Sequence, residues 1–128
     1  MTPVMDRIVL AYSGGFETSV AIPWLREQYG AEVIAVTMDL GQGGELEEIR
    51  DRALVSGARR AHVLDLREEF ASRYILPALK ADAIDQDRLP MAASLVCPLI
   101  AAKVVEIAGI DSARATSLIT TARAHWFE

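Results

Sequence analysis

The apolar positions of this chain fall into short blocks of two kinds, and the blocks alternate. Arg7-Ile8-Val9-Leu10-Ala11, Glu32-Val33-Ile34-Ala35-Val36-Thr37-Met38 and Ala61-His62-Val63-Leu64-Asp65 are compact, β-branched and apolar on both sides of the period-2 alternation. Each reads as a strand buried on both faces. Between them apolar residues recur at helical spacing. Val20, Ala21, Trp24 and Leu25 predict a helix over 18–29, and Leu46, Ile49, Ala53 and Leu54 one over 45–56. A third helix is expected over 67–80, a polar loop over 81–89, and a long apolar helix from Pro90 to Ala108. Gly30, Gly57 and Gly109 stand where these helices should stop.

Three helix-interior prolines disturb the pattern. Pro23 lies one turn inside its helix, Pro77 should bend a last turn, and Pro98 should kink or split the long helix. Beyond Ile110 the signal fades: 112–116 reads as a weak edge strand and 118–126 as a helix. The order strand–helix–strand–helix–strand–helix–helix implies an α/β fold. We expect a three-layer, doubly wound parallel sheet, with ligands bound beyond the carboxyl ends of its strands.

Composition narrows the classes. The chain has 128 residues, 52% of them hydrophobic, enough for one domain with a core. The net charge of −5 gives no electrostatic help toward nucleic acid or an anionic membrane, and neither is expected as a partner. No run of 18 apolar residues suggests a membrane span. A single cysteine, Cys97, allows no internal disulfide, which fits a reducing cytoplasm; in its apolar run it reads as a small buried hydrophobe. The basic pair Arg59-Arg60 reads as solvated surface.

The chemistry concentrates at Ser13-Gly14-Gly15-Phe16-Glu17-Thr18-Ser19, which joins the first strand to the first helix. Two glycines let the backbone turn and come close to a ligand. Successive N–H groups can face one concavity, and the helix start adds unpaired N–H groups and partial positive charge. The hydroxyls of Ser13, Thr18 and Ser19 add donors. Such a loop suits phosphate or pyrophosphate. It holds no lysine, so it is not the Gly-x4-Gly-Lys-Ser/Thr loop, and the Gly-x-Gly-x-x-Gly pattern is also missing. The plain alternative is a turn followed by an ordinary helix cap.

Ala11-Tyr12-Ser13-Gly14-Gly15-Phe16-Glu17-Thr18-Ser19 resembles the PP-loop of the N-type ATP pyrophosphatases, whose fold is the HUP, or adenine nucleotide α-hydrolase-like, class. The chain more closely resembles the N-terminal nucleotide-binding domain of the argininosuccinate synthases. Val20 to Leu25, Ala31 to Thr37, Asp39 to Gly43, Asp65 to Phe70 and Pro98 to Ala101 support this. The family tolerates prolines in these helices. Its members activate citrulline with ATP, release pyrophosphate and let aspartate displace AMP, as AMP-forming ligases of arginine biosynthesis.

The resemblance implies that Ala11, Tyr12, Ser13, Gly14, Gly15, Thr18 and Ser19 hold the ATP phosphates and that Met38 lies against adenine. Where the family has Leu-Asp this loop has Phe16-Glu17, and Glu17 is the candidate ligand for Mg2+; helix-dipole stabilisation by an acid in the first turn is the alternative. Leu89, Ala93 and Cys97 stand where the family has a Tyr, a Thr and an Arg that help hold citrulline. The family's glycine-rich motif after the fourth helix is replaced here by Thr116 to Phe127. Residues 1–128 are therefore expected to form one nucleotide-binding domain without the family's large second domain, binding ATP but lacking full activity. Two further readings are an adenylating enzyme with another acceptor or a partner chain, and a self-associating interaction protein with Trp24, Phe70 and Trp126 as contacts.

Overall fold

The computed structural model describes residues 7–81, 84–85, 89–90 and 92–109, with side chains over 7–81 and 95–109. Its centre is a parallel sheet of β1 (Arg7–Ala11), β2 (Glu32–Asp39) and β3 (Arg60–Asp65), in the spatial order β1-β2-β3. The register sets Ile8 beside Val33 and Ala11 beside Val36 on one side of β2, and Val36 beside His62 on the other.

Side-chain parity along these strands explains why they are apolar throughout. Ile8, Leu10, Val33, Ala35 and Ala61 face one layer of helices, α1 (Phe16–Tyr29) and α2 (Leu46–Val55), and meet Ile22, Leu25, Ile49 and Ala53. Val9, Ile34, Val36, Met38 and Leu64 face the other layer. That layer consists of a helical stretch, α3 (Arg67–Phe70), a π-helical turn (Ala71–Ile75) and α4 (Leu76–Lys80), together with α5 (Ala92–Ala108). Alternate residues of one strand thus enter two separate cores. Both crossovers, through α1 and α2, pass over the same face, and the chain changes face after β3. The three-layer α/β arrangement expected from the sequence is the one observed.

Several details differ from the expectation. The first helix starts at Phe16, so Thr18 and Ser19 lie inside it. Its buried centre is Ile22, fully buried, whereas Val20 and Trp24 are 49% and 52% exposed. Residues 20–25 are nearly all apolar, so periodicity alone did not fix the inward edge. In α2 Ala53 is buried and Leu54 is exposed. The 67–80 helix widens into a π turn at Ala71–Ile75, five residues before its end. The expected 81–89 loop contains an antiparallel pair, β4 (Ile84–Asp85) with β5 (Leu89–Pro90), and Pro90 belongs to that ladder rather than opening the helix. Pro98 does not split α5. Cys97 is exposed, because its neighbours Leu95, Val96 and Leu99 take the inward positions. Phe70, offered as a surface contact, is buried in the second core. The elements expected at 112–116 and 118–126, and Trp126, lie outside the described residues.

Helix ends follow local chemistry. Gly30 caps α1 at φ 60°, its N–H donating to the Arg26 carbonyl. On the far face Lys103 Nζ of α5 lies 3.1 Å from Glu69, tying α5 to α3. That hydrogen bond holds the Lys103 ammonium above its ordinary pKa.

Candidate functional site

A cleft of about 420 Å³ opens at the carboxyl ends of β1 and β2. Its floor is Ala11, Tyr12 and Ser13 from the end of β1 with Val36, Thr37 and Met38 from β2. Leu40, Gln42 and Gly43 form one wall, and Ile49 of α2 and Ile100 of α5 close the sides. This is the place where parallel sheets receive ligands, and the volume lies within the ordinary range for small-molecule sites.

The strand end is anchored before the loop begins. Tyr12 N–H donates to the Val36 carbonyl at 2.8 Å, continuing the ladder one residue past β1. The buried Thr37 hydroxyl donates to the Tyr12 carbonyl at 2.9 Å. The Tyr12 ring is buried, and its phenol lies 2.7 Å from Ser19 Oγ in the second turn of α1. Strand and helix are thereby fixed on both sides of the loop.

The loop turns at Gly14, φ 82°, in the left-handed region. A Cβ at Gly14 would stand 2.9 Å from Ile49 Cγ1, so the backbone is pressed against α2. Gly15 is the N-cap of α1 and is exposed, as is Ser13. The Gly15 N–H is turned toward Ser13 Oγ at 3.2 Å. Ser13 Oγ is 3.1 Å from Thr18 Oγ1. The Thr18 and Ser19 hydroxyls both donate to the Gly15 carbonyl, at 3.3 and 2.8 Å. Three hydroxyls and one amide thus cluster at the amino end of a 14-residue helix, each engaged within the loop itself. A polyphosphate fits this donor set: the amide is engaged by a hydroxyl rather than by a carbonyl, and hydroxyls rotate readily to serve an anion.

Ala11, Tyr12, Ser13, Gly14, Gly15, Thr18 and Ser19 are therefore brought to one place. Met38 lies on the same cleft, although only 7% of its surface is exposed. Glu17 sits in the exposed first turn of α1, and among the described residues no group of three or more His, Cys, Asp or Glu could hold a metal ion. Leu89 is in β5, while the side chains of Leu89 and Ala93 lie outside those described.

The chain matches the family model described as "Arginosuccinate synthase N-terminal HUP domain" over residues 7–124. It belongs to the argininosuccinate synthase N-terminal HUP-domain family. Argininosuccinate synthases of Pelotomaculum thermopropionicum and Desulforamulus reducens are 51% and 53% identical to it over 113 residues, 88% of this chain and 28% of theirs. That of a Thermoanaerobacter species is 49% identical over 110 residues, 86% of this chain and 27% of the relative. The chain thus spans little more than a quarter of the curated relatives it matches. Among solved structures, an NAD+ synthetase from Burkholderia pseudomallei aligns with a TM-score of 0.46 at 22% identity, over 81% of this chain and 46% of that one.

Some features of this HUP-domain site carried no signal in the sequence reading. Thr37 lies within an apolar strand block, and nothing in the sequence marks its hydroxyl as an anchor for the Tyr12 carbonyl. Gln42 closes its own loop, accepting from Leu40 N–H at 2.7 Å and donating to the Met38 carbonyl at 2.9 Å. Arg52 of α2 donates to the Gly14 carbonyl at 2.6 Å across 38 residues of sequence. At the end of β3 the Arg67 guanidinium and backbone amide bond Asp65, holding its carboxyl down at about 2, and Arg67 also lies 3.5 Å from Asp39 at the end of β2.

Proposed function

We propose that this chain binds ATP, phosphates on the loop and base in the cleft. The observation that carries the reading is the cluster of Gly15 N–H and the Ser13, Thr18 and Ser19 hydroxyls at the start of α1, with Ser13 on the edge of a mostly apolar cleft of about 420 Å³. The amides and hydroxyls of residues 11–19 would hold the triphosphate. Met38 would lie against adenine. Bound ATP supplies an α-phosphorus open to attack with pyrophosphate as leaving group, and oriented N–H donors stabilise charge that develops there. Mg2+ would be held chiefly by phosphate oxygens, with the Glu17 carboxylate as the chain's own contribution.

The family's overall reaction, joining citrulline to aspartate, is a separate matter. Leu89, Ala93 and Cys97 offer no cation where the family has an Arg for the amino-acid substrate. A site built to pair a carboxylate loses orders of magnitude when that partner is gone. We therefore propose a nucleotide-binding domain without full synthase activity by itself, acting in a reducing cytoplasm. Calorimetric titration with Mg-ATP tests this: binding with a Kd below millimolar is expected, and no heat at millimolar ATP overturns it. ATP–pyrophosphate exchange with citrulline is expected to be absent.

A second reading, self-association, is favoured by one observation. Phe16, Val20 and Trp24 are spaced four apart on α1 and are 83%, 49% and 52% exposed. Light scattering decides it: a strictly monomeric species removes this reading.

A further inference from the structure

The phosphate loop has no lysine of its own, yet a cation reaches it from the next crossover. Arg52 sits on α2 one turn after Ile49, and the two act on the same loop residue. Ile49 lies under Gly14, leaving no room for a Cβ, and Arg52 Nη1 donates to the Gly14 carbonyl at 2.6 Å. That carbonyl shares a peptide plane with the Gly15 N–H. In a trans peptide the two point in opposite directions. A guanidinium that fixes the carbonyl on the α2 side therefore fixes the N–H on the other, where it meets Ser13 Oγ at 3.2 Å. Glycines on both sides of the plane leave it free to flip, so something outside the loop must hold it.

We propose that Arg52 is the positioning residue of the anion loop: it locks the Gly14–Gly15 peptide so that the Gly15 N–H faces an incoming polyphosphate. This role rests on the nucleotide reading above. Arg52 acts through the backbone and needs no contact with the ligand. Its bond to Gly14 is charge-assisted, of the stronger kind, and helps to hold the plane before ligand arrives. The polyphosphate then meets a donor already turned toward it, which lowers the ordering cost of binding.

The test compares wild type with Arg52→Met and Arg52→Lys, using ATP and adenosine in calorimetry and the Gly15 amide resonance in the free proteins. Circular dichroism checks folding. Arg52→Met is expected to weaken ATP by about tenfold or more and adenosine by less than about twofold. It should also move the Gly15 amide resonance. Arg52→Lys, which keeps one charged donor, should lie between the two in both readouts. The proposal is overturned if the Gly15 resonance stays in place in either folded variant, or if ATP and adenosine weaken equally, as general damage would cause. It is also overturned if wild type binds ATP and Arg52→Met binds it as well. A wild type that binds no ATP overturns the nucleotide reading itself, and this role with it.

Discussion

Tyr12 and Ser19, seven residues apart, meet through their hydroxyls at 2.7 Å and brace the loop between β1 and α1. The pair is unequal. Ser19 Oγ also donates to the Gly15 carbonyl, whereas the Tyr12 ring is 3% exposed and its phenol has Ser19 as its hydrogen-bond partner among the described residues. Tyr12→Phe removes both need and partner and should cost about 1 kcal/mol. Ser19→Ala strands a buried phenol and should cost more, about 1–3 kcal/mol. Urea denaturation of both single variants and the double variant checks this. The double variant should be less destabilised than the sum of the two.

Gly14 carries two separate demands, a φ of 82° and the contact with Ile49. Gly14→Ala meets both and should cost more than about 2 kcal/mol, since the left-handed conformation alone costs about 1–2 kcal/mol. Placing it in an Ile49→Ala background removes the steric part and leaves the backbone part. The Gly14→Ala penalty should therefore be smaller in that background than in wild type, measured by thermal or urea unfolding. Equal penalties in both backgrounds would contradict the packing account of Gly14.

The division into strands and helices was legible because the strand blocks are short and apolar on both parities, as a sheet covered on both faces requires, and alternate with longer stretches of helical period. The loop was legible because Ser-Gly-Gly follows the first strand directly. What the sequence left open was direction. In 20–25 nearly every residue is apolar, so nothing local selected Ile22 over Val20 and Trp24 as the buried position. Phe70 and Cys97 show the same ambiguity with opposite outcomes, one buried and one exposed. Arg52 was invisible for another reason. An arginine among the charges of α2 looks solvated until the fold brings it to Gly14. Pro90 resembled a helix start, and only its pairing with Ile84 shows it in a ladder.

Asp65 and Arg67 couple the end of β3 to pH. The Asp65 carboxyl is held at about 2, below its ordinary 3.8, mainly by the Arg67 side chain. A carboxyl with a lowered folded-state pKa adds stability that is complete above its unfolded value and is lost as pH falls through the folded one. The stability gap between wild type and Asp65→Asn should thus be full at about pH 6 and close between about pH 4 and pH 2. Both groups are largely exposed, so the gap should also shrink with added salt. Chemical denaturation across that range measures it. A gap that widens toward low pH would contradict the assignment.

The central claim is that a polyphosphate is held by the main chain and hydroxyls between β1 and α1. The most direct measurement is an amide-resolved NMR titration with ATP beside one with adenosine. ATP should shift the resonances of Ser13, Gly14, Gly15, Thr18 and Ser19 strongly and saturably, while adenosine moves chiefly those of the cleft around Met38 and Leu40. Loop resonances that stay in place under ATP, or that respond equally to adenosine, would contradict it.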